Sequence, residues 1–384
     1  MNFEFSTANR IIFGSGTLAG IGPLAGELGR FALVVTGSDP SRAEKLLALL
    51  EAQGIGSVTF PVHGEPDIET VQDGLTLARQ EGCDLVIGFG GGSAMDAGKS
   101  MAAMMTNEGR LTDYLEVIGR GLPLVMPSAP FIAIPTTAGT GSEVTRNAVL
   151  SSPEHRVKVS LRSPFLLPRI AIVDPELAWD LPRATTASTG LDALTQLIEP
   201  WVSPRANPIT DALCRDAIPR VARALPLACQ DGHNAEAREE MALGALLGGL
   251  ALANAGLGAV HGLANPIGGM FPVPHGVICA ALLAPVMEAN WNALRLRETN
   301  SASIPRYKAL GRLLTGRPEA TPMDGAAWVR QLVSGLRIPG LGQFGVTAKH
   351  TDELVEKALR ASSMKANPVA LTHGELAGIL ARAM

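Results

Sequence analysis

The chain changes its hydrophobic pattern once, close to residue 180. Before that point, apolar runs of strand length alternate with amphipathic stretches of helical period, such as residues 41–53 and 68–81. Strands that alternate with helices in this way predict βαβ units and a mainly parallel sheet. The predicted strands cover residues 10–13, 31–36, 57–61, 84–89, 131–135 and 170–173.

After residue 181 the strand pattern disappears, and apolar positions follow helical spacing punctuated by Pro and Gly. We predict an α/β domain over residues 1–180 and an all-helical domain over residues 181–384. The length of 384 residues agrees with two domains, because a single core seldom grows so large. The predicted helices of the second half cover residues 192–202, 207–225, 235–255, 277–290 and 323–336.

One apolar run in the second half, residues 241–260, is about long enough to cross a bilayer. It consists mainly of Gly, Ala and Leu, contains Asn254 and continues directly into His261. Helices that are apolar all round also occur in the cores of large soluble domains. We therefore expect a buried helix in a soluble domain and no membrane association.

The composition limits which partners the protein can bind and in which cellular compartment we expect it. Hydrophobic residues make up 46% and charged residues 18%, which predicts packed cores rather than disorder. The net charge of −4, without runs of Lys or Arg, excludes a basic nucleic-acid interface. The four cysteines form no Cys-x-x-Cys pair, which argues against a zinc ribbon and a disulfide framework. Glu4 interrupts the start of the chain, so we expect no signal peptide and a cytoplasmic protein.

The segment Gly-Gly-Gly-Ser-Ala-Met-Asp at residues 90–96 follows the apolar strand directly. Glycines let the backbone turn sharply and approach a ligand closely, and a helix start offers free N–H groups to a phosphate. Ser93 is expected to cap the helix, with Asp96 completing a capping-box pattern. The alternative is an ordinary strand-to-helix turn. The candidate cofactor-binding residues here are Gly90, Gly91, Gly92, Ser93 and Asp96.

A second loop, Pro-Thr-Thr-Ala-Gly-Thr-Gly-Ser-Glu at residues 135–143, follows the strand at 131–135. Its small hydroxyl residues suit hydrogen bonding to a ribose, a phosphate or a carboxamide. Taken alone, the segment fits a plain polar loop equally well. Thr136, Thr137 and Thr140 are its candidate ligand-binding residues.

The second half carries a set of metal-ligand residue types. Asp192 and Gln196 stand four residues apart, hence on one face of a helix. His261 and His275 each precede a glycine in apolar surroundings. Together the carboxylate and imidazoles could hold a divalent transition metal, which would polarise an alcohol or carbonyl oxygen. On spacing alone, a structural role is the more common one for such histidines.

Five motifs in order resemble the iron-containing, or group III, alcohol dehydrogenase family. The resemblance runs from the N-terminal region to near residue 290. The motifs are Gly-Gly-Gly-Ser-Ala-Met-Asp-Ala-Gly-Lys (90–99), Pro-Thr-Thr-Ala-Gly-Thr-Gly-Ser-Glu (135–143), Val-Asp-Pro-Glu-Leu (173–177), Gly-Leu-Asp-Ala-Leu-Thr (190–195) and Pro-His-Gly (274–276).

The resemblance implies a dehydroquinate synthase-like two-domain fold: an α/β dinucleotide-binding domain and an all-α C-terminal domain. It implies hydride transfer between NAD or NADP and a small alcohol or aldehyde, in a homodimer. Residues 90–93 would bind the pyrophosphate, and Thr136, Thr137 and Thr140 would lie along the nucleotide. Asp192, His261 and His275 would be catalytic as ligands of iron or zinc, with Gln196 a provisional fourth ligand.

Two departures from the family pattern bear on the metal. The family's second ligand is a histidine where this chain has Gln196, and a further histidine that helps to move a proton is replaced by Asn265. An amide offers only a neutral carbonyl oxygen, and Asn is neither an acid nor a base near neutral pH. A metal-independent reductase of the maleylacetate reductase type is therefore an alternative.

The choice between NAD and NADP depends on the residues after the second strand. Many relatives place an Asp there that bonds the ribose hydroxyls, whereas this chain has Gly37 and Ser38. Asp39 could substitute for that carboxylate, and Arg42 could attract a 2′-phosphate. Both cofactors remain open from the sequence.

Two rivals come from other classes. A lyase of the dehydroquinate synthase type shares the two-domain plan, but its first ligand is typically a glutamate and its pocket is basic. Here the ligand position holds Asp192, and residues 191–202 contain no basic side chain, which favours the dehydrogenase. The other rival is a nucleotide-binding protein without catalysis, suggested by Gln196 and Asn265.

Overall fold

The protein was analysed as a computed structural model that describes residues 2–384. The chain forms two compact units. The α/β unit comprises residues 6–137 and 141–179, and the helical unit comprises residues 2–5, 138–140 and 180–384.

The α/β unit contains a six-stranded parallel sheet in the order β1-β8-β5-β4-β2-β3 and an antiparallel hairpin of β6 and β7. This parallel sheet with helices confirms the predicted α/β class. The strands are β1 (Arg10–Phe13), β2 (Phe31–Thr36), β3 (Gly56–Pro61), β4 (Leu85–Gly90), β5 (Phe131–Pro135), β6 (Asn147–Ser152), β7 (Val157–Arg162) and β8 (Ile170–Val173), and the helices are α1 (Ile21–Gly26), α2 (Glu44–Ala52), α3 (Ile68–Gln80), α4 (Gly92–Thr106) and α5 (Leu111–Tyr114).

The central strands are apolar on both sides because each side of the sheet faces a separate core. Along β2, Leu33 and Val35 pack in one cluster, and Ala32 and Val34 pack in the other. Every residue of β4 is buried. A strand covered on both faces reads as a continuous apolar run, which is the pattern seen in the sequence.

The sheet reverses its strand order at β2. This strand pairs with β3 on one side and with β4 on the other. The chain therefore leaves the carboxyl ends of β2 and β4 in opposite directions, which opens a crevice at that edge. Open α/β sheets bind their ligands at such a point.

The β6–β7 hairpin was not predicted from the sequence, and two helices of the α/β unit begin differently from the prediction. The helix predicted from residue 41 begins as a 3-10 turn at Pro40–Ala43, and α2 follows it. The predicted capping role of Ser93 is wrong. Gly91 is the N-cap of α4, and within residues 2–384 no side chain caps it. Asp96 instead accepts hydrogen bonds from Ser142 Oγ and Val149 N.

The helical unit contains nine α-helices in the described part of the chain, which confirms the predicted all-α second half. Several are longer than predicted. The first, for example, begins at Arg183 rather than near residue 192. The helices are α6 (Arg183–Val202), α7 (Pro208–Gln230), α8 (Ala235–Ala255), α9 (Ala259–Met270), α10 (His275–Arg297), α11 (Ser303–Thr315), α12 (Pro322–Gly335), α13 (Thr351–Arg360) and α14 (His373–Ala383).

The apolar run at residues 241–260 is buried as expected, but it is not one helix. The helix α8 ends at Ala255, its C-cap Gly256 has a φ of 76°, and α9 begins after a bend of 99°. Within residues 2–384, only α10 is long and apolar enough by itself to cross a membrane, and 83% of its apolar window is buried in the protein. That burial is typical of a core helix.

Candidate active site

One face of α6 carries three polar side chains. Asp192, Gln196 and Glu199 follow one another at intervals of four and three residues, which places them on one side of a helix. All three are nearly inaccessible, with exposed fractions of 2%, 4% and 4%. Because every residue from Gly190 to Val202 is buried, the surrounding packing fixes this polar stripe.

Two further helices bring donor side chains to this stripe. The bend between α8 and α9 places His261 in the first turn of α9, and α10 begins at His275. Gly276 allows the start of α10 to lie directly on α6, because a Cβ there would be 2.3 Å from the carbonyl oxygen of Ser188. The close packing of α10 on α6 therefore requires a glycine directly after His275. Cys279 follows one turn later and is completely buried.

Four side chains converge on one point. Asp192 Oδ1 lies 3.4 Å from His261 Nε2 and 3.7 Å from His275 Nε2. The Sγ atom of Cys279 lies 3.8 Å from His261 Nε2 and 3.6 Å from His275 Nε2. All four donor atoms are within 4.8 Å of one another. Bonds of about 2.0–2.3 Å around a tetrahedral zinc ion would separate its ligands by about 3.3–3.6 Å, close to these values.

A buried, unsatisfied oxygen supports a cation at this point. Asp192 Oδ1 has no hydrogen-bond partner among the described residues. A buried polar atom without a partner costs free energy, and a carboxylate oxygen costs more. A divalent ion would satisfy it, so the donor set fits a transition metal.

Glu199 orients the imidazole of His261. Its carboxylate accepts hydrogen bonds from Val260 N at 2.7 Å and from His261 Nδ1 at 2.6 Å. With its hydrogen on Nδ1, the ring directs the lone pair of Nε2 at the donor cluster. A carboxylate on the far nitrogen is the usual support of a metal-binding histidine.

Gln196 contacts Asp192 through its amide nitrogen. Its Nε2 donates to Asp192 Oδ2 at 3.0 Å, which leaves Oδ1 directed at the histidines. The other amide atom, Oε1, is buried and has no partner within residues 2–384.

Asn367 ties together the segments around His261. Its Oδ1 accepts from Ala259 N and from Asn290 Nδ2, each at 3.1 Å. Its Nδ2 donates to Asn290 Oδ1 at 2.8 Å and to the carbonyl of Val369 at 2.7 Å. We call this arrangement of Asn367, Asn290 and the amide of Ala259 the Asn367 clamp. It fixes the start of α9 relative to α10.

Burial and the neighbouring ionisable groups shift the pKa values of the side chains in this cluster. Burial raises the pKa of the Cys279 thiol to about 12. Burial also opposes ionisation of Asp192, but His275 and His261 outweigh it and hold the pKa of Asp192 below its ordinary value. For His261, burial lowers the pKa, yet Cys279, Glu199 and Asp192 together raise it well above the usual value.

In the α/β unit, the predicted nucleotide residues gather at one edge of the sheet. Gly37 follows β2, Gly90 ends β4 and leads into residues 91–93, and Thr136 and Thr137 follow β5. These loops pack so closely that side chains are excluded. A Cβ on Gly90 would lie 3.1 Å from Gly37 N, and one on Gly91 would lie 3.3 Å from the methyl of Thr137. The start of α4 and these glycines offer backbone without side chains, which lets a phosphate approach the N–H groups closely.

Behind this edge lies a buried ionic cluster that holds the loop after Gly141. Lys99 donates to the backbone carbonyls of Ser142, Thr145 and Asn147. Burial lowers the pKa of Lys99 to about 8 and raises that of Asp96 to about 6 and that of Glu143 to about 7. The predicted cofactor residue Asp96 thus contacts the loop rather than capping its own helix.

The residues expected to set cofactor choice have local partners. Asp39 accepts from Ser41 N at 3.1 Å and from Ser41 Oγ at 2.6 Å. Arg42 donates to the carbonyl of Leu177 at 2.8 Å. Ser38 is exposed, and apart from the adjoining residues Thr36 and Ser38, no heavy atom of residues 2–384 lies within 4 Å of a Cβ built on Gly37.

The structure therefore brings Asp192, His261 and His275 together, with Gln196 beside them. Thr140 belongs to the helical unit, unlike Thr136 and Thr137. The sequence analysis missed two residues of the cluster, Glu199 and Cys279. Helical spacing was the available signal, since Glu199 stands seven residues after Asp192 and Cys279 stands four after His275.

Comparison with known proteins agrees with this site. A family model described as iron-containing alcohol dehydrogenase matches residues 8–175, and a model of the C-terminal part of the Fe-containing alcohol dehydrogenase family matches residues 186–384. Alcohol dehydrogenase 4 of Schizosaccharomyces pombe is 38% identical over 346 residues, covering 89% of this chain and 78% of the relative.

Two further similarities extend over nearly the whole chain. The 1,3-propanediol dehydrogenase of Klebsiella pneumoniae is 36% identical over 390 residues, covering 99% of this chain and 98% of the relative. The crystal structure of a 1,3-propanediol oxidoreductase matches with a TM-score of 0.92 at 35% identity and covers 100% of both chains.

These relatives favour neither the lyase nor the metal-independent reductase considered from the sequence. They also argue against a nucleotide-binding protein without catalysis. The fold, the donor cluster and the two matched family models lead to one conclusion. The chain belongs to the iron-containing alcohol dehydrogenase family and is an alcohol oxidoreductase that uses a nicotinamide cofactor.

Proposed function

We propose that the protein transfers a hydride between a nicotinamide cofactor and a short alcohol or diol, in either direction. The single observation that carries the proposal is the convergence of His261 and His275 on the unsatisfied oxygen of Asp192. A relative named for 1,3-propanediol, matched over almost its full length, makes short diols the first substrates to test.

In this proposal, Asp192, His261 and His275 hold a divalent metal. Glu199 keeps His261 in the tautomer whose Nε2 can bind it, and Gln196 fixes Asp192 through its second oxygen. When bound, the ion would polarise the substrate oxygen as a Lewis acid. The burial of the polar stripe on α6 keeps these donors in place without reorganisation during the reaction.

Residues 1–180 are proposed to bind the dinucleotide, and residues 181–384 are proposed to bind the metal and the substrate. Gly90, Gly91, Gly92 and Ser93 would hold the pyrophosphate at the start of α4, where the backbone N–H groups are free. We assign Thr136, Thr137 and Thr140 to hydrogen bonds along the nucleotide, and Asp96 to support of the cofactor-binding loop.

The metal assignment is tested by His275→Ala. We expect both the bound metal per chain and the turnover of 1,3-propanediol to fall, because one of the converging donors is lost. His373→Ala is the matched control, since His373 is half exposed and pairs with Asp352 in the same unit. If His275→Ala kept the metal content and the turnover of the unaltered protein, the metal assignment would be wrong.

We further propose that both NAD(H) and NADP(H) are accepted. Two observations support this proposal. Position 37 is a glycine and carries no carboxylate, and the carboxylate of Asp39 accepts hydrogen bonds from Ser41. Gly37→Asp should restore repulsion of the 2′-phosphate and raise the NAD to NADP ratio of kcat/KM by about tenfold, as expected for about 1–2 kcal/mol between partly exposed charges. Gly37→Asn has the same shape without the charge and should change the ratio little. An equal ratio for the Asp and Asn variants would refute this role of position 37.

Two broader features are also proposed. The four cysteines are unpaired in the described chain, which suits a reducing cytoplasm. The family resemblance suggests a homodimer, and light scattering during gel filtration would test it. A monomeric mass at micromolar concentration would contradict the dimer without affecting the proposed reaction.

A further inference from the structure

We propose that Cys279 is a protein ligand of the metal and replaces the family histidine that is absent at Gln196. The resulting set of Asp, two His and Cys would select zinc over iron. This inference rests on the proposed metal-assisted function, and it assigns a donor that the sequence resemblance does not supply.

The first step is the missing donor. Where the family has a histidine, Gln196 uses its amide nitrogen to hold Asp192 Oδ2. The imidazole that would complete four protein ligands is therefore absent from α6. Two buried oxygens, Asp192 Oδ1 and Gln196 Oε1, remain unsatisfied within residues 2–384. Both observations indicate a polar site built for a group that the protein chain alone does not provide.

The second step is the position of Cys279. It lies one turn after His275 on α10, and its Sγ is 3.6 Å from His275 Nε2 and 3.8 Å from His261 Nε2. A tetrahedral zinc ion with bonds of about 2.3 Å to sulfur and 2.0 Å to nitrogen would place these atoms about 3.5 Å apart. Across residues 2–384, it is the one cysteine that stands within such a group of donors.

The third step is the chemistry of the donors. A thiolate is a soft ligand, and zinc commonly binds Cys and His in tetrahedral sites. A single thiolate beside a carboxylate does not favour iron in the same way. One carboxylate, one thiolate and two neutral imidazoles also balance the charge of a divalent ion. That balance matters because Asp192 and Cys279 are both buried.

A cobalt-substituted protein tests the ligand directly. The metal is removed with a chelator, and Co(II) is added to the full-length apoprotein. Sulfur coordination predicts an intense near-ultraviolet charge-transfer band in the unaltered protein, which Cys279→Ser removes while Co(II) still binds. Cys214→Ser is the matched control, because Cys214 is equally buried but lies on α7, outside the donor group. It should retain the band.

Metal competition tests the selectivity. After growth with equal zinc and iron, the unaltered protein should carry mainly zinc by elemental analysis. Mutation of a residue that only hydrogen-bonds to a metal ligand lowers metal affinity by about 10- to 100-fold. Because Cys279→Ala removes a ligand itself, we expect zinc binding to weaken by more than about 100-fold. A chromophoric chelator measures this in the absence of substrate.

The outcomes separate this inference from the proposed function. Bound Co(II) without a charge-transfer band, or zinc affinity unchanged in Cys279→Ala, would overturn the assignment of Cys279 even if alcohol turnover persisted. A charge-transfer band that disappears in Cys279→Ser would support the assignment even if 1,3-propanediol were not oxidised. That second result would count against the proposed reaction alone.

Discussion

Replacement of Glu199 by Gln is a sensitive test of how the metal site is built. The two side chains have the same shape, but a carboxylate has two accepting oxygens and an amide has one. In the protein both oxygens are used, one by Val260 N and the other by His261 Nδ1. Val260 N lies in the first turn of α9, where no helical carbonyl can replace its partner.

The amide oxygen of Glu199→Gln is therefore expected to stay with Val260 N, and its NH2 group would then face His261 Nδ1. The imidazole must move its hydrogen to Nε2 to accept that bond, which removes the lone pair directed at the metal. A hydrogen bond to a charged group contributes about 1.5–3 kcal/mol, and about 1.4 kcal/mol corresponds to a tenfold change. We expect metal affinity to fall by about 10- to 100-fold.

The assay is competition for zinc between the protein and a chromophoric chelator near neutral pH. Glu240→Gln is the control, because Glu240 lies in the same unit and pairs with Arg220 on α7, away from the donors. It should leave zinc affinity unchanged. Should Glu199→Gln bind zinc within twofold of the unaltered protein, Glu199 would be only the cap of α9 and our account of His261 would be wrong.

Three further perturbations test other parts of the structure. Burial raises the folded pKa of Glu143 to about 7 from 4.5, so the folded state holds this proton more tightly than the unfolded state. Its stabilising contribution is complete below pH 4.5 and is lost as the pH rises through about 7, by a few kcal/mol. Glu143→Gln should therefore flatten the fall in the free energy of unfolding over that window, and an unchanged slope would refute the shift. Gly276→Ala should weaken zinc binding, because the new methyl would meet the carbonyl of Ser188 and displace His275; a crystal structure with α10 unmoved would contradict this. Removal of the metal should lower the unfolding temperature reversibly, since free zinc at about 100 times its Kd adds about 2.7 kcal/mol; equal melting of the apo and zinc-loaded protein would count against a folded-state site.

Much of the fold could be predicted because the spacing of apolar residues along the chain indicates which faces of a strand or helix are buried. The strand β4 is buried on both faces and reads as a continuous apolar run, and its position came within one residue of the prediction. The hairpin of β6 and β7 was missed, although β6 alternates buried and half-buried residues. It follows the loop at residues 135–143, and no element was predicted for residues 147–162. The start of α6 was missed because residues 183–190 are small and weakly apolar.

The metal cluster was only half predictable. Asp192 and Gln196 lie on one helix, where spacing fixes their common face. The approach of His261 depends on the bend of 99° between α8 and α9, which the sequence marks only with the glycines at 256 and 258. By residue type alone, Cys279 does not differ from Cys214 or Cys229, which also lie on helices. Its spacing of four residues from His275 was the sequence signal, and the packing of α10 on α6 brings it to the other donors.

The Asn367 clamp has a consequence for the order in which the site can be completed during synthesis. A growing chain that has finished α10 already contains Asp192, His261, His275 and Cys279. It does not yet contain Asn367, which holds the first turn of α9 through Ala259 N. Metal captured by the nascent chain would meet its donors before this support exists. The start of α9, and with it the position of His261, is therefore fixed in its final geometry only after the C-terminal segment has been made and has docked.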